Sequence, residues 1–358
     1  MGREAAGLIP VIDLAWMRWR RAEAWRLTAW RGAASAMATL ALVACGAGDL
    51  RPAAVTRAGS PTSVAATSTV APAEPPAPAS VLKRAELWFD ADGASPPPLV
   101  DVMVNGQPTR MLVDTGASHH VLAQWVAEMV GSSREADAAG TDQVGKSVAL
   151  SRLDDARVVV SGWGAIDTSE MFVAALPQSL RDEGIGGILS PQRLADGDRA
   201  VVLDFRKRTM TSASLGDALH ALDSEPGVAL SGEVHGCGTS GALPLVRATI
   251  AGVQVDAQLD SGASNTTVRA KSEAGVRLLP HAKRSTTAVA ASGVFSAPSL
   301  DDTPVKVGAL EIDTTVDLVP REPRINCPND ASLGMDILHR CVLVLGSKAF
   351  AAKCTVPQ

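Results

Sequence analysis

The sequence contains no tyrosine and only 5 Phe and 7 Trp in 358 residues, so aromatic side chains make up 3% of it. Trp16, Trp19, Trp25 and Trp30 fall within the first 30 residues, leaving Trp88, Trp125 and Trp163 for the remainder. A core so poor in rings is built from Val, Leu, Ile and Ala, which favours sheet. The same shortage excludes an aromatic platform for stacking RNA bases or sugars. Basic charge is not in excess either: 33 Lys and Arg against 38 Asp and Glu give a net charge of −5 and a pI near 5.7. That balance sets nucleic acid aside as a partner. Cysteine is scarce, at five, and no two stand in a Cys-x-x-Cys pair, so the spacing offers no zinc site. What remains is an ordinary globular balance, 46% hydrophobic and 20% charged, at a length that suits about two domains.

The first segment reads as an address. Arg18, Arg20, Arg21, Arg26 and Arg31 precede an uncharged stretch of 13 residues, Gly32 to Ala44, and then Cys45. Basic, then apolar, then small is the order of a secretory signal, and 13 residues are too few to span a bilayer. Leu42-Val43-Ala44-Cys45-Gly46 also resembles a bacterial lipobox, which makes Cys45 the expected lipidation site; the alternative is a plain signal cleaved nearby, and Met17 is an alternative start. Removing residues 1–44 takes away six Arg and three acidic residues, so the net charge falls from −5 to −8. Residues 46–83 are rich in Ala, Pro, Ser and Thr and cannot bury a core, so they read as an extended tether. The expected organisation is a signal with lipobox at 1–45, a disordered tether at 46–83, a first lobe at 84–222 and a second at 223–358. The expected location is periplasmic or outer-membrane, held to the membrane by a lipid anchor only, or secreted. Gly46, not an acidic residue, follows Cys45, which leans toward the outer membrane.

An internal repeat places the two lobes. Pro98 to Leu122 (PLVDVMVNGQPTRMLVDTGASHHVL) aligns without a gap on Pro244 to Val268 (PLVRATIAGVQVDAQLDSGASNTTV), 146 residues later, with eight identities. Each copy alternates apolar and polar residues, turns at Asn105-Gly106 or Ala251-Gly252, and runs on into an acidic turn, the pattern of a β-hairpin. Asp114 and Asp260 are equivalent positions of the repeat. A lone Asp-Ser-Gly is usually only a turn; two copies at matched hairpin positions are a far more specific signal.

Asp-[Thr/Ser]-Gly-Ala-Ser after a hydrophobic strand resembles the active-site turn of aspartic proteases, and the Asp-Thr-Gly-Ala form is most similar to the retropepsins. Two motifs in one chain resemble the pepsin-like arrangement, a pseudodimer of two lobes, and the resemblance covers residues 84–356. It implies an all-β, bilobal fold with the active site between two duplicated, barrel-like lobes, in a monomer. It also implies an endopeptidase acting on peptide or protein substrates, with Asp114 and Asp260 as the catalytic pair and with no metal, cofactor or covalent intermediate. The chemistry suits two carboxyl groups held together, since they share one proton: the charged one activates water and the protonated one donates to the carbonyl. On this reading Gly116 and Gly262 let the turns approach the carboxylates, Thr115 and Ser261 lock the turns together, and Ser118 and Ser264 orient the aspartates. Ala117 and Ala263 stand where pepsin-like turns commonly carry a hydroxyl, which points to a mildly acidic optimum.

The second signature of each lobe, an apolar strand ending in Gly, is matched by Ala331–Leu338 and by Gly187–Pro191, where Ser190 replaces the usual Gly. Gly145 and Gly293 lie 31 and 33 residues beyond the aspartates, which places candidate flaps at 140–148 and 288–296; both glycines read equally well as ordinary turns. Pepsin-like flaps carry a Tyr, and here there is none. His119 and His120 lack metal-spaced partners and are expected to be exposed, while Trp125 is expected to pack a short helix onto its lobe. Four cysteines besides Cys45 allow three pairings. Cys341 and Cys354 flank a hairpin centred on Ser347-Lys348, so they are expected to be bridged, with Cys237 and Cys327 paired by exclusion. A catalytically silent, peptide-binding or scaffolding lipoprotein of the cell envelope with the same fold is the alternative function.

Overall fold

The computed structural model describes residues 43–44, 83–90, 95–132, 138–142, 144–153, 155–237, 241–321 and 329–356. Cys45, the tether, Cys327 and the side chain of Cys237 lie outside the described residues, and the expected Cys237–Cys327 pair lies there with them.

The same hairpin opens each lobe. Leu99–Val104 pairs with Gln107–Val113, and Gly241–Ile250 pairs with Val253–Leu259, both antiparallel. The turn residues Asn105 and Gly106 have φ of 47° and 84°, and Ala251 and Gly252 have 48° and 81°. Two successive positive φ values twist the turn in the same sense as the strands it joins, which is why a two-residue loop suffices. The second strand of each hairpin runs directly into Asp114 or Asp260. A short strand then returns, Val121–Ala123 in one lobe and Thr266–Arg269 in the other.

A third strand wedges between them. Ile185–Leu189 lies parallel to Gln107–Val113 and antiparallel to Val121–Ala123. Ala331–Leu333 does the same with Val253–Leu259 and Thr266–Arg269. Every residue of both wedge strands is buried, as a strand covered on both faces requires. The last carbonyl of each wedge seats an aspartate: Asp114 N–H donates to Leu189 O at 2.9 Å, and Asp260 N–H to Leu333 O at 3.0 Å.

The strands assemble into a ten-stranded and a thirteen-stranded sheet. The larger sheet belongs to the second lobe but extends into the first half of the chain. Its last six strands run in the order Val228–Cys237, Ala349–Cys354, Cys341–Leu345, Arg199–Asp204, Thr209–Ser214 and Arg84–Glu86. Val202 stands opposite Val344, so both lobes meet in one continuous sheet. The fold is all-β with two lobes. Cys341 and Cys354 face each other across the hairpin that ends the chain, with Cα atoms 4.0 Å apart, and are joined by a disulfide that is fully buried. The helices are short. The longest, Leu215–Asp223, starts at Ser214, whose Oγ accepts from Asp217 N–H at 3.1 Å. Among the described residues no helix is long and apolar enough to cross a membrane.

Candidate active site

Asp114 and Asp260 come together from the two lobes, and both are fully buried. A β-carbon placed on Gly116 would stand 2.6 Å from Asp260 Cγ, and one on Gly262 would stand 2.5 Å from Asp114 Cγ. Each glycine is thus packed on the opposite carboxyl group, and no larger residue fits at either position. Gly116 N–H also donates to Asp114 Oδ1 at 2.7 Å. Thr115 and Ser261 cross from lobe to lobe. Thr115 Oγ1 donates to Leu259 O at 2.7 Å and accepts from Ser261 N–H at 2.9 Å. Ser261 Oγ donates to Val113 O at 2.7 Å and accepts from Thr115 N–H at 3.0 Å. All four bonds are buried, so losing either hydroxyl strands a backbone group from the other lobe.

Burial pushes both carboxyl groups up from the ordinary range, because the charged form loses its water. Asp114 is raised well above it, with the facing charge of Asp260 as the next cause. For Asp260 the effect of burial is opposed by hydrogen bonds, that from Gln258 foremost and that from Ser332 among the others. Asp114 Oδ2 and Asp260 Oδ1 are buried and meet no donor among the described residues apart from the opposing carboxyl group.

Gln258 carries no expectation from the sequence. It lies two residues before Asp260 and so on the same face of the strand. It is 1% exposed and donates from Nε2 to Asp260 Oδ2 at 3.1 Å. Its Oε1 accepts from Asn329 Nδ2 at 2.6 Å, and Asn329 Oδ1 accepts in turn from Arg269 Nη2. Aligning the repeats on their own offset would have exposed it, since the equivalent of Gln258 is Leu112.

The loops after the wedge strands also differ. In the second lobe Met335 N–H donates to Ala263 O at 2.7 Å and Asp336 N–H to Ser264 O at 3.0 Å. The first lobe has Pro191 where the second has Met335, and proline has no N–H. Ser190 Oγ and Gln192 Nε2 bond Ala117 O instead, at 2.7 and 2.6 Å, and Arg193 Nε bonds Ser118 O at 2.7 Å. The departure at Ser190 is thus one half of a substitution whose other half is Pro191.

The expected exposure of His119 and His120 is corrected: each is 4% exposed. His120 Nδ1 accepts from Ser190 N–H at 3.0 Å, which fixes the ring as neutral at that nitrogen. His119 lies between Ser118 Oγ, 3.0 Å from its Nδ1, and Arg193 Nη2, 3.1 Å from its Nε2, and its ring meets the edge of Phe172. Burial, then the Arg193 charge, lowers His119 to about 4 and His120 to about 3. Both were hidden because the residues that cover them lie far along the chain. The hydroxyl of Ser118 is engaged by His119, and the buried hydroxyl of Ser264 meets no partner among the described residues. Trp125 is half-buried on the helix Gln124–Met129, against the core.

Gly145 and Gly293 both lie at hairpin turns, with φ of 79° and 121°. One hairpin pairs Ala138–Thr141 with Ser147–Arg152, and its outer edge pairs with Val43–Ala44; the other pairs Arg284–Ala290 with Gly293–Val307. Their tips meet. Asp142, fully buried, accepts at Oδ1 from Val144 N–H and Lys146 N–H within its own turn, and at Oδ2 from Ser292 N–H of the other hairpin at 3.1 Å. Ala291 joins an apolar cluster that otherwise comprises first-lobe residues, among them Leu112, Ala117, Val148 and Ile188. Among the described residues no group of three His, Cys, Asp or Glu side chains is placed to hold a metal ion.

A family model described as aspartyl protease matches residues 100–189 and again 246–337. Each match runs from the opening hairpin through the aspartate turn to the wedge strand or the short helix beyond it, and the two together take up just over half of the chain. The chain belongs to the aspartyl protease family. A search of the curated proteins gave no match.

Proposed function

We propose that the protein is an aspartic endopeptidase in which Asp114 and Asp260 hydrolyse peptide bonds as a pair sharing one proton. The observation that carries this reading is the reciprocal packing of Gly116 and Gly262 on the opposite carboxyl groups, which leaves two buried oxygens facing one another. In the first step the charged carboxylate takes a proton from water, whose oxygen bonds to the carbonyl carbon, while the protonated partner gives its proton to the carbonyl oxygen. In the second, the carbon–nitrogen bond breaks. The departing nitrogen takes the proton that came from water, and the diol hydroxyl returns the other, so the pair ends as it began. An extended peptide fits between the lobes as an added strand. The run of arginines, the apolar stretch and Cys45 support export and lipid anchoring of this enzyme in the cell envelope.

The test is cleavage of a denatured protein followed by mass spectrometry. Asp114→Asn and Asp260→Asn should each lower the rate by about a thousandfold or more, because neither half of the proton exchange survives. Activity should peak at mildly acidic pH, where the raised pair holds one proton. Wild type and both variants failing alike to cleave would sink the reading and leave a peptide-binding protein of this fold.

A further inference from the structure

We propose that Gln258, oriented by Asn329 and Arg269, is a positioning residue that makes Asp260 the charged member of the pair and Asp114 the proton donor. This rests on the reading of the pair given above.

The argument begins at the far end of the chain of bonds. A guanidinium has five donors and no acceptor, so the atom of Asn329 that faces Arg269 must be its oxygen. That turns the Asn329 amide nitrogen toward Gln258, where it can only meet Oε1, and leaves Gln258 Nε2 pointing at Asp260 Oδ2. The direction of every hydrogen bond is therefore set by a cation, and the relay delivers a donor to Asp260. Gln258, Asn329 and Arg269 are 1%, 3% and 3% exposed, so water does not compete with it.

Nothing comparable serves Asp114. The repeat places Leu112 at the position of Gln258 and Ala123 at that of Arg269, and the wedge strands place Ile185 at that of Asn329; all three are buried and apolar. The two halves of the site are thus alike in backbone and unlike in polarity. The other groups facing Asp260 are Asp114 from the opposite turn, Ser332 from the wedge strand and Gly262 N–H from its own turn. Arg269 has Asp330 beside it, with Asp256 and Glu273 near Asp330 in turn. Only the relay distinguishes the two aspartates in a fixed sense, and burial raises Asp114 further than Asp260 in keeping with it.

The test uses the full chain carrying carboxyl-labelled aspartate, titrated by carbon NMR, with the two signals identified through Asp114→Asn and Asp260→Asn. In the wild type Asp260 should ionise first. Gln258→Met keeps the volume and removes the donor, and should move the Asp260 midpoint up by about one pH unit. The acidic limb of the kcat/KM profile should move with it while KM stays. Asn329→Ala, which frees the Gln258 amide to turn over, should shift both in the same direction by less. It carries the test if Gln258→Met does not fold. Asp114 ionising first, or an Asp260 midpoint and acidic limb unmoved in the variants, would overturn the proposal. Since the titration needs no substrate, a wild type that cleaves nothing but shows the NMR shift would discard the protease reading and leave the relay standing.

Discussion

Gly116 and Gly262 fix the separation of the two carboxyl groups, because each stands where a methyl group would overlap the opposite aspartate. Gly116→Ala should therefore force the turns apart, lowering unfolding free energy by about 1–3 kcal/mol in urea titrations and abolishing cleavage. Gly216→Ala makes the control. It lies in the helix Leu215–Asp223 with nothing within 4 Å of the added carbon, and should stabilise by up to about 1 kcal/mol. The acidic turns are legible in the sequence because all their parts are neighbours along the chain and the motif occurs twice. The environment of His119 and His120 is not legible, since Ser190 and Arg193, which cover them, lie about seventy residues further on. Gln258 is intermediate. Its strand is apolar apart from alternating surface positions, and only the contrast with Leu112 marks it as out of place.

At the scale of the element, the two wedge strands carry the same load with different chemistry. The second lobe uses backbone N–H groups of Met335 and Asp336, and the first uses side chains because Pro191 withholds the equivalent donor. Ser190→Gly should cost about 1 kcal/mol, since Gln192 still reaches Ala117 O. Gln192→Leu should cost more, about 1–3 kcal/mol, because it also removes the donor to Thr115 O at 3.2 Å. Urea unfolding of the two variants should rank them in that order; the reverse ranking would mean that Ser190 alone holds the turn. Sequence similarity locates both wedges and the opening hairpins, whose turn residues and alternation are local signals. It does not show which atoms satisfy Ala117 O, because that depends on three side chains folding back over the turn.

Across the whole molecule, two sets of buried groups set opposing slopes of stability against pH. Asp114 and Asp260 keep their protons in the folded state while the unfolded chain releases its own near 3.8, so this contribution shrinks as pH rises above that value. His119 and His120 stay neutral when folded down to about 4 and 3, while the unfolded chain takes up protons near 6.5, so stability falls as pH drops below 6.5. Each such proton is worth at most about 1.4 kcal/mol per pH unit. Urea unfolding between pH 3 and 8 should show a maximum inside this window, approached from the acidic side through the histidines. His120→Gln, whose amide oxygen can still accept from Ser190 N–H, should flatten the acidic side, and Asp114→Asn the other. An acidic side as steep in His120→Gln as in the wild type would assign the loss elsewhere.

The shared sheet has a consequence in time. Arg199–Asp204 takes its partner from Cys341–Leu345, and Val344 lies 142 residues after Val202. A chain emerging from its N-terminus therefore holds one bare strand edge for most of its synthesis, an invitation to pair with another copy. Contacts so distant along the chain also form slowly. The first lobe can assemble its hairpin, its turn and its wedge early, but its side of the shared sheet waits for the last strands of the chain, and the two aspartates meet only when the newest residues have joined the oldest.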